Sequence, residues 1–548
     1  MTFPRNGIPI LPTVFLALCL SASAQSHSHG MFNVRDYGAT GDGTTLDSPA
    51  INRAIATAAD EGGGTVLLPA GTYLSYSIRL RSHITLRLDS GATIIAADPP
   101  PSGEPGGYDA PEENPADLYQ DFGHSHWHNS LIWGEELNHV AIVGQGIIFG
   151  RGLSQGRQDR KAPFPRSSHN PEIPTDDQVP SSPDIQPGPF GYPARNDGLP
   201  AGVGNKAIAL KNCRNVTLRD FTILHGGHFG ILATGVDNLT IDNLTIDTNR
   251  DGIDIDACTN VRVANCLVNS PFDDGICLKS SFALGETRLT ENVVITNCIV
   301  TGFDEGTLLD GTRQRSHRWP NGRIKLGTEA TGGFRNIAIT NCVLTFGRGL
   351  ALEQVDGGVM EDVTIDNIIL RDIINAPIFV RLGARLRGPA GTTVGSTRRI
   401  RISNVTGSNI GLQHEPVTPH GIFLVGTPGA DIEDLVLRNI RLEFVGGGER
   451  SLAEYEVPEL ADGYPEPGRW GRLPAWGIFA RHLDGLELSG IDLRTRSPDK
   501  RHAVILDDIT DLRWRDVVLP TPAPEAAESV VLREVDCLNP TDLPAPPR

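Results

Sequence analysis

Residues 238–280 read NLTIDNLTIDTNRDGIDIDACTNVRVANCLVNSPFDDGICLKS. Two phrases alternate in this stretch. One has the form Asn-hydrophobic-x-hydrophobic-x-Asn: NLTIDNL from Asn238 and NVRVANC from Asn260. The other is Asp-Gly followed by alternating apolar residues: DGIDID from Asp251 and DGICLK from Asp274. Apolar residues at every second position give the period of a β-strand, whose side chains point to opposite faces in turn. Gly230, Gly252 and Gly275 are 22 and 23 residues apart. A unit of that length is too short for a four-stranded propeller blade, and the fixed leucine framework of a leucine-rich repeat is missing. Short strands repeated at this spacing imply a stacked solenoid, a parallel β-helix.

The same phrases run outward in both directions. The first recurs as NVTLRDF from Asn215, NVVITNC from Asn292, NIAITNC from Asn336, DVTIDNI from Asp362, RISNVTG from Arg401 and DLVLRNI from Asp434. The second recurs as FGILA from Phe229, RGLALE from Arg348, PIFVR from Pro377, HGIFLV from His420 and WGIFAR from Trp476. In each copy the first and third residues after Gly are expected in the core and the second and fourth outside it. The residue before Gly is expected to point outward too. That places Phe229, Asp251, Asp274 and Arg348 in one exposed row, with a further member near Glu305.

Before the repeats, Ser48-Pro49 followed by AINRAIATAA predicts a short helix, with Pro at an early position, that caps the open end of the solenoid. Segments 98–125, 154–203 and 449–474 are rich in turn-forming residues and read as long loops. The first residues, MTFPRNGIPILPTVFLALCLSASAQS, carry one Arg before a short apolar run and end in small residues. This predicts a signal peptide over 1–24 and a secreted or periplasmic protein. No other run reaches the length of a membrane span, so no membrane association is expected. One all-β domain is expected over 30–540.

The 548-residue chain is 39% hydrophobic, with 61 Gly and 40 Pro, which fits a globular protein with many turns. A formal net charge of -18 argues against nucleic acid as a partner, although a local basic pocket can still receive an anion. Cys213, Cys266, Cys298 and Cys342 recur in the Asn phrase and read as small apolar packing, not as a disulfide framework. No Cys-x-x-Cys pair suggests zinc. No cofactor or metal is expected.

The phrase FNVRDYGATGDGTTLDSPAINRAIATAADEGGGTVLLPAGTY at residues 32–73, the coils, and the pair NRDGIDID and FDDGICLKS together resemble glycoside hydrolase family 28, the polygalacturonase family. The resemblance spans roughly residues 31–515. It implies a right-handed, pectin-lyase-like β-helix that cleaves galacturonosyl bonds of pectin with inversion. By the family's pattern, Asn249-Arg250-Asp251 takes the place of its Asn-Thr-Asp, with Arg for Thr, and Asp273-Asp274 the place of its Asp pair. Asp273 would then be the general acid, with Asp251 and Asp274 holding and activating the attacking water. Chemistry points to the same cluster. Glycoside hydrolysis needs one protonated and one ionised carboxyl, set roughly 6.5–9.5 Å apart for inversion. Asp251 and Asp274 are expected one coil apart, about 4.8 Å, and crowded carboxyls raise at least one pKa. The bland alternative is that these aspartates only make turn hydrogen bonds.

The sequence departs from the family at two places. Where the family has Gly-His-Gly one coil beyond the Asp pair, this chain reads GFDEGTLLDG, with Glu305 expected in the histidine's place and His317 nearby in a charged insert. The family's Arg-Ile-Lys phrase, which binds substrate carboxylate, has a literal match at Arg323-Ile324-Lys325. The stacking instead favours Ala351-Leu352-Glu353 at that position, where Glu353 would repel a galacturonate. Lys279, Arg250, Arg348 and Arg381 are then the cations expected to grip a carboxylate, with Arg481 in an equivalent place and His228 lining the pocket. Trp127, Trp133, Trp319 and Trp476 are candidate sugar platforms. The partner expected is an acidic pectic poly- or oligosaccharide, with exo action if the long loops wall off the groove. A calcium-dependent lyase, a hydrolase of a neutral-sugar linkage, and a non-catalytic binding β-helix are the rival readings.

Overall fold

In the computed structural model the described residues are 1–2, 30–101, 104–120, 123–154, 199, 201–316, 320–414 and 417–538. The signal peptide expected over 1–24, and His317 and Trp319, lie outside them apart from Met1 and Thr2. Among the described residues the strands pair in parallel, each with the strand one coil further on.

Each coil contributes a strand to three faces. The first face carries the Asp-Gly phrase: Phe229–Thr234, Asp251–Asp256, Ile276–Ser280, Ile324–Ala330, Leu350–Gln354 and Ile378–Leu382 stack in that order. The second face carries the Asn phrase, as in Asp237–Asp242 and Thr259–Ala264, and the third is short, as in Thr245–Asp247 and Leu267–Asn269. The two-residue period decides what enters the core. Ile231, Ile253, Ile276, Ile324, Leu350 and Ile378 stand in register as one buried aliphatic ladder. Burying a side chain of this size stabilises the fold by about 1.5–3 kcal/mol, so each coil holds its neighbours chiefly by stacking.

The Asn residues mark the corners. Asn215, Asn238, Asn260, Asn292 and Asn336 all have φ between 55° and 60°. This left-handed conformation is costly for most residues and tolerated by Asn. The corners also bond to one another: Asn238 Nδ2 donates to Asn215 Oδ1 at 3.0 Å, Asn292 Nδ2 to Asn260 Oδ1 at 3.1 Å, and Asn336 Nδ2 to Asn292 Oδ1 at 3.0 Å. The repeated Asn thus turns the chain and fixes the register of successive coils. Cys213, Cys266, Cys298 and Cys342 are buried free thiols that take part in the same packing.

The N-terminal coil is closed by the helix Ser48–Asp60, which has Pro49 in its first turn and buries Ala50, Ile51, Ala54, Ile55 and Ala58 against Phe32 and Val66. Along the first face, two long segments cover what the sequence places outside. Within 104–120 and 123–130, Trp127 is fully buried; it packs with Phe229 and Leu232, and its Nε1 donates to Thr234 Oγ1 at 3.0 Å. Within 449–474, Trp470 is fully buried against Phe379 and Phe423. The expectation of an exposed row is therefore corrected: Phe229, Asp251, Asp274 and Arg348 are all buried. The row exists by stacking, but loops from distant coils roof it over.

Candidate active site

Asp251 opens the strand Asp251–Asp256, and the Ile253–Ile276 pairing sets Asp274 directly beneath it on the next coil. Asp273 precedes Asp274 in the turn before Gly275, where the chain bends and Ser270 Oγ donates to the Asp273 carbonyl at 2.9 Å. One oxygen from each of Asp251, Asp273 and Asp274 lies within 4.8 Å of the other two. These closest oxygens are nearer than the roughly 6.5–9.5 Å that separates carboxyl groups in inverting pairs. Asp251 and Asp274 are buried, whereas the side chain of Asp273 is 25% exposed.

Each carboxylate meets different partners. Arg250 Nη2 donates to Asp273 Oδ2 at 2.7 Å. Asp274 is gripped from the following coil: Arg323 Nε donates to its Oδ1 at 2.6 Å and Lys325 Nζ lies 3.2 Å from its Oδ2. Among the described residues no cation forms an ion pair with Asp251. Burial pushes its pKa well above the usual carboxylate range, and the charges of Asp273 and Asp254 add to that. Burial would raise Asp274 as well, but Arg323, Lys325 and Lys279 outweigh it and hold the group well below its ordinary value. Adjacent coils thus carry one carboxyl that favours its proton and one held ionised, the division of labour acid–base catalysis requires. Three convergent oxygens are also a set a cation could bridge, but both Asp274 oxygens and Asp273 Oδ2 already face protein cations.

Residues 31–100 match the family model described as rhamnogalacturonase A/epimerase, pectate lyase-like, and residues 201–317 match the right-handed β-helix region model. The exo-poly-α-D-galacturonosidase of Dickeya chrysanthemi is 24% identical over 442 residues, 76% of this chain and 68% of that protein. A probable polygalacturonase of Vitis vinifera is 27% identical over 47% of this chain and 46% of its own length. The family 28 exopolygalacturonase of Yersinia enterocolitica has the same fold, with a TM-score of 0.57 at 20% identity over 92% of this chain and 77% of that one. These likenesses support a divergent relative of glycoside hydrolase family 28. The chain is a glycosidase built on a right-handed parallel β-helix.

The expected departures from the family pattern resolve differently in the structure. Register sets Gly322, not Glu305, one coil beyond Asp274. Glu305 lies in the preceding turn, where its Oε1 is 2.7 Å from Nδ1 of the buried His225. The insert before Gly322 consumes the residues the sequence would have stacked. Ala351-Leu352-Glu353 does stand one coil past Ile324, as the register reading has it. Yet Arg323 and Lys325, set aside by that reading, are the cations at Asp274. Glu353 lies 3.4 Å from Lys325 and 3.8 Å from Arg323, and burial raises its pKa.

Of the other cations named from sequence, Lys279 faces the cluster from 3.7 Å off Asp254 and 3.1 Å off Glu329. Arg348 pairs with Glu466 at 2.8 Å. Arg381 is corrected away from the aspartates: its guanidinium donates to the Gly426 and Leu460 carbonyls and lies over the Trp470 ring, 5.2 Å from its centroid. Arg481 is similarly taken by Glu459 and Asp507. His228 is buried, stacked on Phe229 at 4.2 Å, and burial lowers its pKa. Trp127 and Trp476 are buried in packing, so neither offers a platform. Sequence reasoning missed Glu329 and Glu466. Only a reading of where the 449–474 loop lands could have found Glu466, and no local pattern reports that.

Proposed function

We propose that this protein is an exported glycosidase of pectic poly- or oligosaccharides, acting from chain ends with inversion, with Asp273 as the acid and Asp251 and Asp274 around the water. The observation that carries the reading is the convergence of three carboxyl oxygens within 4.8 Å on adjacent coils of the β-helix. The two named relatives are an exo-poly-α-D-galacturonosidase and a probable polygalacturonase, the former matching the longer stretch. Oxygens this close can share one water, since each needs about 2.8 Å to it. Asp274, held ionised, accepts its proton. Asp273 is the exposed member and can reach a leaving oxygen. The neighbouring Asp251, whose burial favours the protonated form, stands within reach to supply the proton that Asp273 delivers. Chain-end action is supported by the two roofs, residues 104–120 and 123–130 over the coils before the aspartates and the 449–474 loop over those after.

The test is a panel of galacturonan, rhamnogalacturonan and neutral-sugar oligosaccharides, with product mass and anomeric form resolved, each with and without chelator. Expected is release of single saturated units with inverted anomeric form, indifferent to chelator, and a fall in rate of about 10²–10⁴ with Asp273→Asn. Retained anomeric form points to a glycosyl-enzyme on one of the carboxylates and overturns the water-first order. An unsaturated product that requires calcium replaces hydrolysis with elimination.

A further inference from the structure

The side of the site formed by Arg323, Lys325 and Arg348 looks at first like an anion pocket, but its charges are already answered from within. Lys325 lies between Asp274 and Glu353, at 3.2 and 3.4 Å. Arg323 touches Asp274 and stands 3.8 Å from Glu353 and 3.7 Å from Glu466. Arg348 is 2.8 Å from Glu466. Exposure decides what a ligand meets. The side chains of Arg323, Lys325 and Glu353 are 4%, 3% and 1% exposed and that of Arg348 is 8%, whereas Glu466 is 23% exposed. A sugar approaching from this side meets a carboxylate before it meets any cation.

Glu466 is fixed where it stands. It precedes the short helix Pro467–Trp470, whose Trp470 is fully buried between Phe379 and Phe423. His420 Nε2 is 2.8 Å from the Gly471 carbonyl, Arg381 donates to the Leu460 carbonyl, and Arg481 pairs with Glu459 at 2.8 Å. Displacing Glu466 would pull on all of these. Arg250, the other accessible cation, is held by Asp273.

We propose that Glu466 sets the charge preference of the subsite beside Asp274, selecting a sugar unit with no free carboxylate, either neutral or methyl-esterified. The inference rests on the pectic glycosidase reading and narrows it. A free uronate there faces a like charge and finds its natural partners occupied, a combination that discriminates by repulsion as much as by fit.

The test compares kcat/KM on oligogalacturonides of one length, fully de-esterified or fully methyl-esterified, and on a neutral-sugar pectic oligomer, for the wild type and Glu466→Gln. Expected is a wild-type preference for the uncharged substrates, with the esterified and neutral arms telling the two sources apart. Glu466→Gln should move the preference toward the free acid on the order of tenfold or more. Because the variant can loosen the loop, a second reading uses the wild type alone: galacturonate and its methyl ester as competitive inhibitors, the ester expected to bind more tightly. A wild type that prefers the free acid in both assays, with a ratio Glu466→Gln leaves unchanged, overturns the inference and leaves the hydrolase reading intact. Cleavage of no pectic substrate at all removes both.

Discussion

Replacing Lys325 with methionine keeps the length and apolar stem of the side chain and removes its charge from the centre of the site. Lys325 Nζ lies 3.2 Å from Asp274 Oδ2 and 3.4 Å from Glu353 Oε2, and all three groups are buried. Burial favours the protonated form of Asp274, and Arg323, Lys325 and Lys279, in that order, overcome it. A neighbouring opposite charge typically lowers a carboxyl pKa by about 1–3, and with Arg323 still in place the lower end applies. Lys325→Met should therefore move the acid limb of the pH profile of kcat/KM up by about one pH unit, equivalent to about 1.4 kcal/mol. The folded pKa of Asp274 is depressed, so its ion pairs stabilise the fold above the ordinary value of 3.8 and are lost only as pH falls through the folded value. That part of the destabilisation is hence equal at pH 5 and pH 7. Glu353 behaves oppositely. Burial already raises its pKa, and without Lys325 its charge costs more at pH 7 than at pH 5. In total the broken buried pairs should cost about 3–5 kcal/mol at pH 7. Urea unfolding at the two pH values separates the contributions. An acid limb that does not move in a folded variant would refute the placing of Asp274 as the base under Lys325's control.

Trp470→Ala empties the fully buried anchor of the 449–474 loop and should cost about 3–5 kcal/mol. With that roof loosened, product chromatography should show mixed lengths in place of single units; an unchanged product pattern in a measurably destabilised variant would detach the loop from chain-end action. Glu305→Gln breaks the pair with His225, whose pKa burial would lower but the Glu305 charge and hydrogen bond raise overall. A raised histidine stabilises fully below about 6.5 and loses that contribution as pH rises through its folded value. The substitution should accordingly cost about 3 kcal/mol at pH 6 and less at pH 9, and equal costs in urea melts at both would sink the assignment.

The repeat is legible in sequence because stacking makes it strictly local. The core needs an aliphatic residue at every second position, and each corner needs a residue that tolerates positive φ, so Ile253, Ile276, Asn238 and Asn260 report their places directly. The meeting of Asp251, Asp273 and Asp274 follows from the same spacing. What the sequence hides depends on insertions. The residues before Gly322 shift which phrase joins the stack, so Arg323-Ile324-Lys325 reaches Asp274 from the adjacent coil while Glu305 is left behind with His225. Arg381 reads as a ligand-facing cation from its strand position, yet a loop that begins some seventy residues later claims its guanidinium. Strand periodicity says which way a side chain points. It does not say what covers it.

The roof over the C-terminal side also orders events in time. A solenoid can add coils as the chain is made, each resting on the one before, and the three aspartates stand together once the coil of Asp274 has formed. Glu466 and Trp470, though, belong to the insertion between the strands Ile432–Gly446 and Ala475–Ser497, near the far end of the stack. The Glu466 contacts at Arg323 and Arg348 thus arrive only when those last turns have been laid down. A nascent helix carries its three carboxylates early but acquires the Glu466 carboxylate beside them as nearly the final act of assembly.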